Sequence, residues 1–231
     1  MRPGVVAIVV ALVPLAAIHL CYLLAAYFGH VPWCVPYVDS CTSISATGRR
    51  APESHVFRAA ILPSAALMLV YWSLAREWLK SLGSRSDFLG GLMLALGLVA
   101  ALGLIAFAAV LGEIGDAYRL QRRIGVTVFY GLTVVAQLLL TVQAEAVFRA
   151  RPNSVSVWTS RALRTICAVT VLLGLAGLLL PAFYEGYSRF DHALQWWVTL
   201  LVLLHPLAIF FAWKQTGFRV RPTVFGRPPP H

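Results

Sequence analysis

Apolar positions in this chain come in six long blocks separated by short polar intervals. The blocks cover residues 5–29, 56–78, 88–112, 124–148, 162–181 and 193–213. Each approaches or exceeds the roughly 20 residues a helix needs to cross about 30 Å of hydrocarbon. The pattern predicts an all-α fold, an integral membrane bundle of six transmembrane helices over residues 1–215 with a short tail at 216–231. The first block follows Arg2 but is longer than a signal-peptide core and ends on no small-x-small site, so it reads as a span. The widest interval is the first loop, residues 30–55. Its richest part runs from Ile44 to Arg58 and packs turn formers, a carboxylate, a histidine and three arginines into fifteen residues.

Composition agrees with a bilayer as the solvent. Of 231 residues, 59% are hydrophobic and 12% charged, at a mean hydropathy of +0.77. A soluble domain uses about 25% charged residues. The net charge of +10 would suggest nucleic acid in a soluble protein, but here the basic residues flank apolar spans. There they serve topology and contact with anionic lipid, and no nucleic-acid partner is expected. Twelve lysines and arginines fall on the side of the N-terminus and seven on the other. Both termini are therefore expected in the cytoplasm, with the first loop on the non-cytoplasmic side of a multi-pass protein. In that setting Cys34 and Cys41, seven positions apart, are candidates for a local disulfide, while Cys21 and Cys167 read as small core residues. The tail ends Arg227-Pro228-Pro229-Pro230-His231 and reads as extended, with its arginines on the anionic inner leaflet.

Polar groups at bilayer depth each have a plain structural reading. His19 reads as a neutral imidazole bonded to a neighbouring helix, and His205, before Pro206, as a local bond at a kink. Gln137 and Thr141 share a face and read as interhelical glue. Glu145 precedes Arg149 by four residues, the spacing of an intrahelical ion pair. Gly97, Ala101 and Gly103 allow close helix packing. No chain of carboxylates crosses the membrane, no ring of charge suggests a filter, and no repeat of two halves appears.

The chemistry lies on the loop side. His30, Asp39, Glu53, His55, Glu185, Asp191 and His192 fall in the loops there, with Arg58 just inside the second span. No HExxH or comparably tight ligand spacing is present, so neither a metal nor a cofactor is assigned. No GxSxG elbow surrounds Ser43, Ser45 or Ser54. Arg58, with Arg49 and Arg50, offers guanidinium groups that match phosphate oxygens bidentately. The bland alternative pairs Glu53 with Arg58 to fix the loop, with Pro52 and Glu53 suited to the first turn of the following helix.

At this loop the chain resembles a family of six-span proteins. The family includes the damage-regulated autophagy modulators, the Golgi protein of GPI-anchor lipid remodelling, and the fungal suppressor of a phosphatidylinositol kinase defect. Gly29-His30-Val31 followed by Pro36-Tyr37 is similar to the autophagy-modulator branch, as is Ile44-Ser45-x-Thr47-Gly48 leading to Pro52-Glu53-Ser54. Ser45-Ala46 and Phe57-Arg58 look more like the GPI-remodelling branch. The chain departs from the family at Ala46, where one branch carries an acidic residue. It departs again at Arg122-Arg123, where a histidine is frequent, and at Gln195, where a glutamate is found. The resemblance implies a membrane protein acting on or with lipids, and these departures favour binding over catalysis.

Two functions follow. In the first, the loop recognises a lipid headgroup, anionic by its charge, or a membrane protein partner, without catalysis. Glu53, His55 and Arg58 are its contacts, and Arg49 and Arg50 add charge. In the second, the protein is a lipid-modifying acyltransferase or hydrolase with His30, Asp39, His55 and His192 as catalytic candidates.

Overall fold

The computed structural model describes residues 3–84, 86–151 and 154–219. Arg2, Arg85 and the tail from position 220 lie outside these, and so does most of the segment expected at 216–231. Six long helices carry the chain: α1 (Pro3–Tyr27), α4 (Glu53–Ser81), α5 (Asp87–Ala109), α6 (Asp116–Ala150), α7 (Val157–Phe183) and α8 (Asp191–Gln215). Two one-turn helices, α2 (Pro36–Asp39) and α3 (Ile44–Thr47), lie in the first loop, and a 3-10 turn over Glu185–Arg189 joins α7 to α8. All six long helices are apolar enough to cross a membrane. They form a ring in the order α4, α5, α6, α7, α8, α1, with α1 closing against α4. The ends joined by residues 28–52, 110–115 and 184–190 make one face of the bundle, hereafter the loop face.

Several helices outrun the hydropathy blocks. At 35 residues, α6 is about 52 Å long, well beyond a hydrocarbon core of about 30 Å. Its first two turns, with Arg119, Arg122 and Arg123, belong to the loop face. Packing within the bundle follows the small residues. A Cβ on Gly97 would lie 2.3 Å from the Trp72 ring, and one on Gly125 would lie 2.7 Å from the Gly103 carbonyl oxygen. These absences of a side chain let α5 meet α4 and α6 at backbone distance. Behind α7, three hydrogen bonds tie α6 to α8: Tyr130 hydroxyl to Thr199 Oγ1 at 2.5 Å, Gln137 Nε2 to the Val202 carbonyl at 2.8 Å, and Thr141 Oγ1 to His205 Nε2 at 2.9 Å. Gln137 and Thr141 thus act as interhelical glue. His205 bonds across to α6, not locally, because its buried ring faces Thr141.

Two other pairings differ from expectation. Glu145 accepts from Ser160 Oγ at 2.6 Å and lies 3.6 Å from Arg164 Nε. Both partners are in the first turns of α7, so the carboxylate pairs across to the next helix and not along its own. His19 bonds the Leu15 carbonyl of its own helix at 2.7 Å and the Tyr37 hydroxyl at 3.0 Å. Its partners are therefore its own turn and the first loop, not a neighbouring span.

Candidate functional site

The first loop is knitted onto the bundle before it offers anything to a ligand. Cys34 and Cys41 are disulfide-bonded. The Tyr22 hydroxyl donates to the Cys34 carbonyl at 2.6 Å and accepts from the Cys34 N–H at 2.9 Å. Ser40 sits at φ 51°, and its hydroxyl accepts the N–H groups of His192 and Ala193, both at 3.1 Å. A loop residue thereby caps the start of α8, satisfying two of the donors a helix end leaves open. Trp196 Nε1 donates to the Thr42 carbonyl at 2.9 Å and Trp197 Nε1 to the Tyr37 carbonyl at 3.1 Å. Burial pushes the Tyr37 phenol above its usual pKa, so it stays neutral against His19.

Glu53 and Arg58 do not pair. Glu53 is fully buried, with Oε1 2.7 Å from His30 Nδ1, and its other oxygen has no hydrogen-bond partner. Its place in the first turn of α4 puts the carboxylate inside the bundle, away from any headgroup. Arg58 donates from Nε to the Leu111 carbonyl at 3.0 Å, from Nη2 to the same carbonyl, and from Nη2 to Glu113 Oε1 at 2.9 Å. Leu111 lies just past the end of α5, where the chain turns sharply, and Gly112 takes φ +97° there. A Cβ on Gly112 would lie 2.8 Å from the Arg49 carbonyl oxygen. Arg58 therefore clamps the α5–α6 turn to the start of α4, and the loop backbone at Arg49 presses against that turn.

The clamp has a consequence some seventy positions along the chain. It sets Arg49 beside the first turns of α6, where Arg49, Arg119, Arg122 and Arg123 line one cavity of about 350 Å³ with Ser45 and Gln195. No carboxylate is among its lining residues. Arg119 is 3.2 Å from Asp116, and Arg122 Nη1 donates to the carbonyls of Val110 at 3.1 Å and Glu113 at 2.8 Å. Arg49 and Arg123 are exposed and have no ion-pair partner among the described residues. Arg50 joins Arg49 in lining an adjoining cavity of about 530 Å³, which also holds Glu113 and Asp116.

Cations near the positive end of a helix oppose its dipole by about 0.3–1 kcal/mol each. Three of them in the first two turns of α6 are an unfavourable local choice, offset in part by Asp116 beside Arg119 and by the carbonyls that Arg122 holds. The spacing 119, 122, 123 places them on one helix face. That signal was in the sequence, but nothing there linked it to Arg49.

The other candidates are dispersed. His55 is exposed. Asp39 Oδ2 accepts the Val35 N–H at 2.6 Å within its own turn. His192 Nδ1 is 3.3 Å from Asp191. His30 is engaged with Glu53, and among the described residues no side-chain hydrogen bond or ion pair joins any two of the four residues suggested for catalysis. Among the described residues no three His, Cys, Asp or Glu side chains cluster as metal ligands would.

Comparison with curated proteins and with solved structures returned no match. A family model, the Frag1/DRAM/Sfk1/Cwh43P N-terminal domain, matches residues 3–204. That match runs from the first residue of α1 well into α8 and includes the first loop, the clamp at Arg58 and the arginine-lined cavity. With six membrane-crossing helices in the matched region, the chain is an integral, multi-pass membrane protein and belongs to the Frag1/DRAM/Sfk1/Cwh43P family.

Proposed function

We propose that this protein recognises the phosphate-bearing headgroup of an anionic phospholipid at its loop face, and that this face is non-cytoplasmic, as the excess of basic residues at the opposite end favours. The observation that carries this reading is the convergence of Arg49, Arg119, Arg122 and Arg123 on a single cavity without a lining carboxylate. Guanidinium groups match phosphate oxygens in forked, charge-assisted pairs, and near a low-dielectric bilayer such pairs are less screened than in bulk water. Arg49 and Arg123 are the direct contacts in this reading, because their donors are not committed to the protein. Arg122 also holds backbone carbonyls, and Arg58 acts by positioning. This reading moves the contact from the Glu53–His55–Arg58 segment to Arg49 in the first loop and the first turns of α6.

The test is native mass spectrometry of the protein in mild detergent, supplied with equal amounts of phosphatidic acid, phosphatidylserine and phosphatidylcholine. The expected outcome is preferential retention of the two anionic lipids, lost in the Arg49→Gln/Arg123→Gln variant. Equal retention of all three by the unaltered protein would overturn the reading.

A further inference from the structure

The ring of helices is loosely closed at one place. In α7 the buried residues are Thr159, Leu163, Cys167 and Thr170, and none follows Thr170. The half of α7 nearer the loop face leans on α8, where a Cβ on Gly177 would lie 3.0 Å from Leu194, and stands away from α6. Between it, α6 and α8 lies a groove of about 670 Å³, walled by apolar side chains such as Val134, Leu138, Leu175, Leu178 and Val198. That volume falls within the roughly 300–1,000 Å³ of small-molecule sites. The three hydrogen bonds from α6 to α8 fix one wall, so the groove is a standing feature of the packing.

Two residues, Val126 and Gln195, line both this groove and the arginine cavity. The cationic site and the apolar trough are thus continuous: one opens at the loop face, and the other descends into the bilayer. At their junction Asp191 also lines the groove, but its Oδ1 already accepts the His192 N–H at 2.7 Å. Tyr187 lies beside it, with a phenol raised in pKa by burial and then by Asp191.

We infer that the groove seats an acyl chain of the same lipid whose phosphate the arginines hold, so that the ligand is a long-chain phospholipid entering sideways from the leaflet at the loop face. This rests on the headgroup reading and adds the second half of the ligand. A polar site opening onto an apolar trough of this depth matches the amphiphilic order of one lipid molecule, phosphate above and hydrocarbon below. Gly131 and Gly174 line the trough, and a Cβ on either would meet no atom within 4 Å. A leucine at either position starts into open space and adds bulk on the trough wall, and leucine is the better helix former.

The experiment measures binding of dihexanoyl and dioleoyl phosphatidic acid, which share one headgroup, to the full chain in detergent. The unaltered protein is expected to prefer the dioleoyl lipid. Gly131→Leu/Gly174→Leu should lower dioleoyl affinity by about tenfold, the equivalent of excluding roughly two methylenes. Its dihexanoyl affinity should stay unchanged and its melting temperature should not fall. Arg49→Gln/Arg123→Gln should weaken both lipids alike. A groove-filled variant that keeps the full dioleoyl preference would overturn the acyl-chain inference alone. Dihexanoyl binding indifferent to the arginine substitutions would instead overturn the headgroup reading.

Discussion

Arg58 is bonded on two sides to protein, so its removal should be felt as lost stability first. Arg58→Ala leaves the Leu111 carbonyl and Glu113 without their donor. Hydrogen bonds to charged groups contribute about 1.5–3 kcal/mol, so a loss of about 2 kcal/mol is expected in thermal unfolding in detergent. Arg58→Lys should restore only part of it, since one ammonium cannot reproduce the forked contact. An unchanged melting temperature, with lipid retention abolished, would return Arg58 to the role of a direct contact. The buried Glu53 gives a second expectation. With one oxygen already lacking a partner, His30→Ala would strand the other, and leaving a buried acceptor unsatisfied costs about 1–3 kcal/mol. A His30→Ala protein melting within a degree of the parent would contradict that account. The sequence placed His30, Glu53 and Arg58 in one region but suggested the wrong pairs. Spacing along a chain favours i,i+4 and i,i+5 partners, whereas here the partners come from the loop after α1 and from the α5–α6 turn.

At the scale of elements, hydropathy made the six helices legible. A block of about twenty apolar residues satisfies its backbone in lipid only by coiling into a helix. The order of those helices in the ring was not legible, and neither was the splayed half of α7. Both depend on which small residues face which bulky ones. Gly97 against Trp72 and Gly103 against Gly125 decide where α5 lies, and a glycine in a leucine-rich helix does not announce its partner. The arginine cavity was half legible: Arg119, Arg122 and Arg123 share a face, but only tertiary packing brings Arg49 to them. Glycines of opposite function should separate cleanly. Gly97→Val and Gly125→Val would each drive a side chain into occupied space, and aggregation or a broadened size-exclusion peak is expected. Gly131→Leu points into open space and should elute as the parent does. If all three variants behaved alike, close packing of α5 would not be what fixes the bundle.

For the whole molecule, the excess of basic residues on the side of the N-terminus favours a non-cytoplasmic loop face, an expectation that labelling tests. Ile114 and Val157 are exposed near opposite ends of the bundle. In intact cells, a membrane-impermeant maleimide should label Ile114→Cys, and Val157→Cys only after permeabilisation. The reverse order would invert the topology and move the arginine cavity to the cytoplasmic leaflet. The central claim, that this cavity binds an anionic headgroup, is tested most directly by ligand-linked stability. A ligand at a hundred times its dissociation constant stabilises a protein by about 2.7 kcal/mol. The measurement is therefore the melting temperature of the detergent-solubilised protein with added phosphatidic acid or phosphatidylcholine, repeated on Arg49→Glu/Arg123→Glu. The account predicts a clear rise with phosphatidic acid, little with phosphatidylcholine, and no lipid-dependent rise in the charge-reversed variant. A phosphatidic acid shift that survives charge reversal, or equal shifts from both lipids, would contradict it.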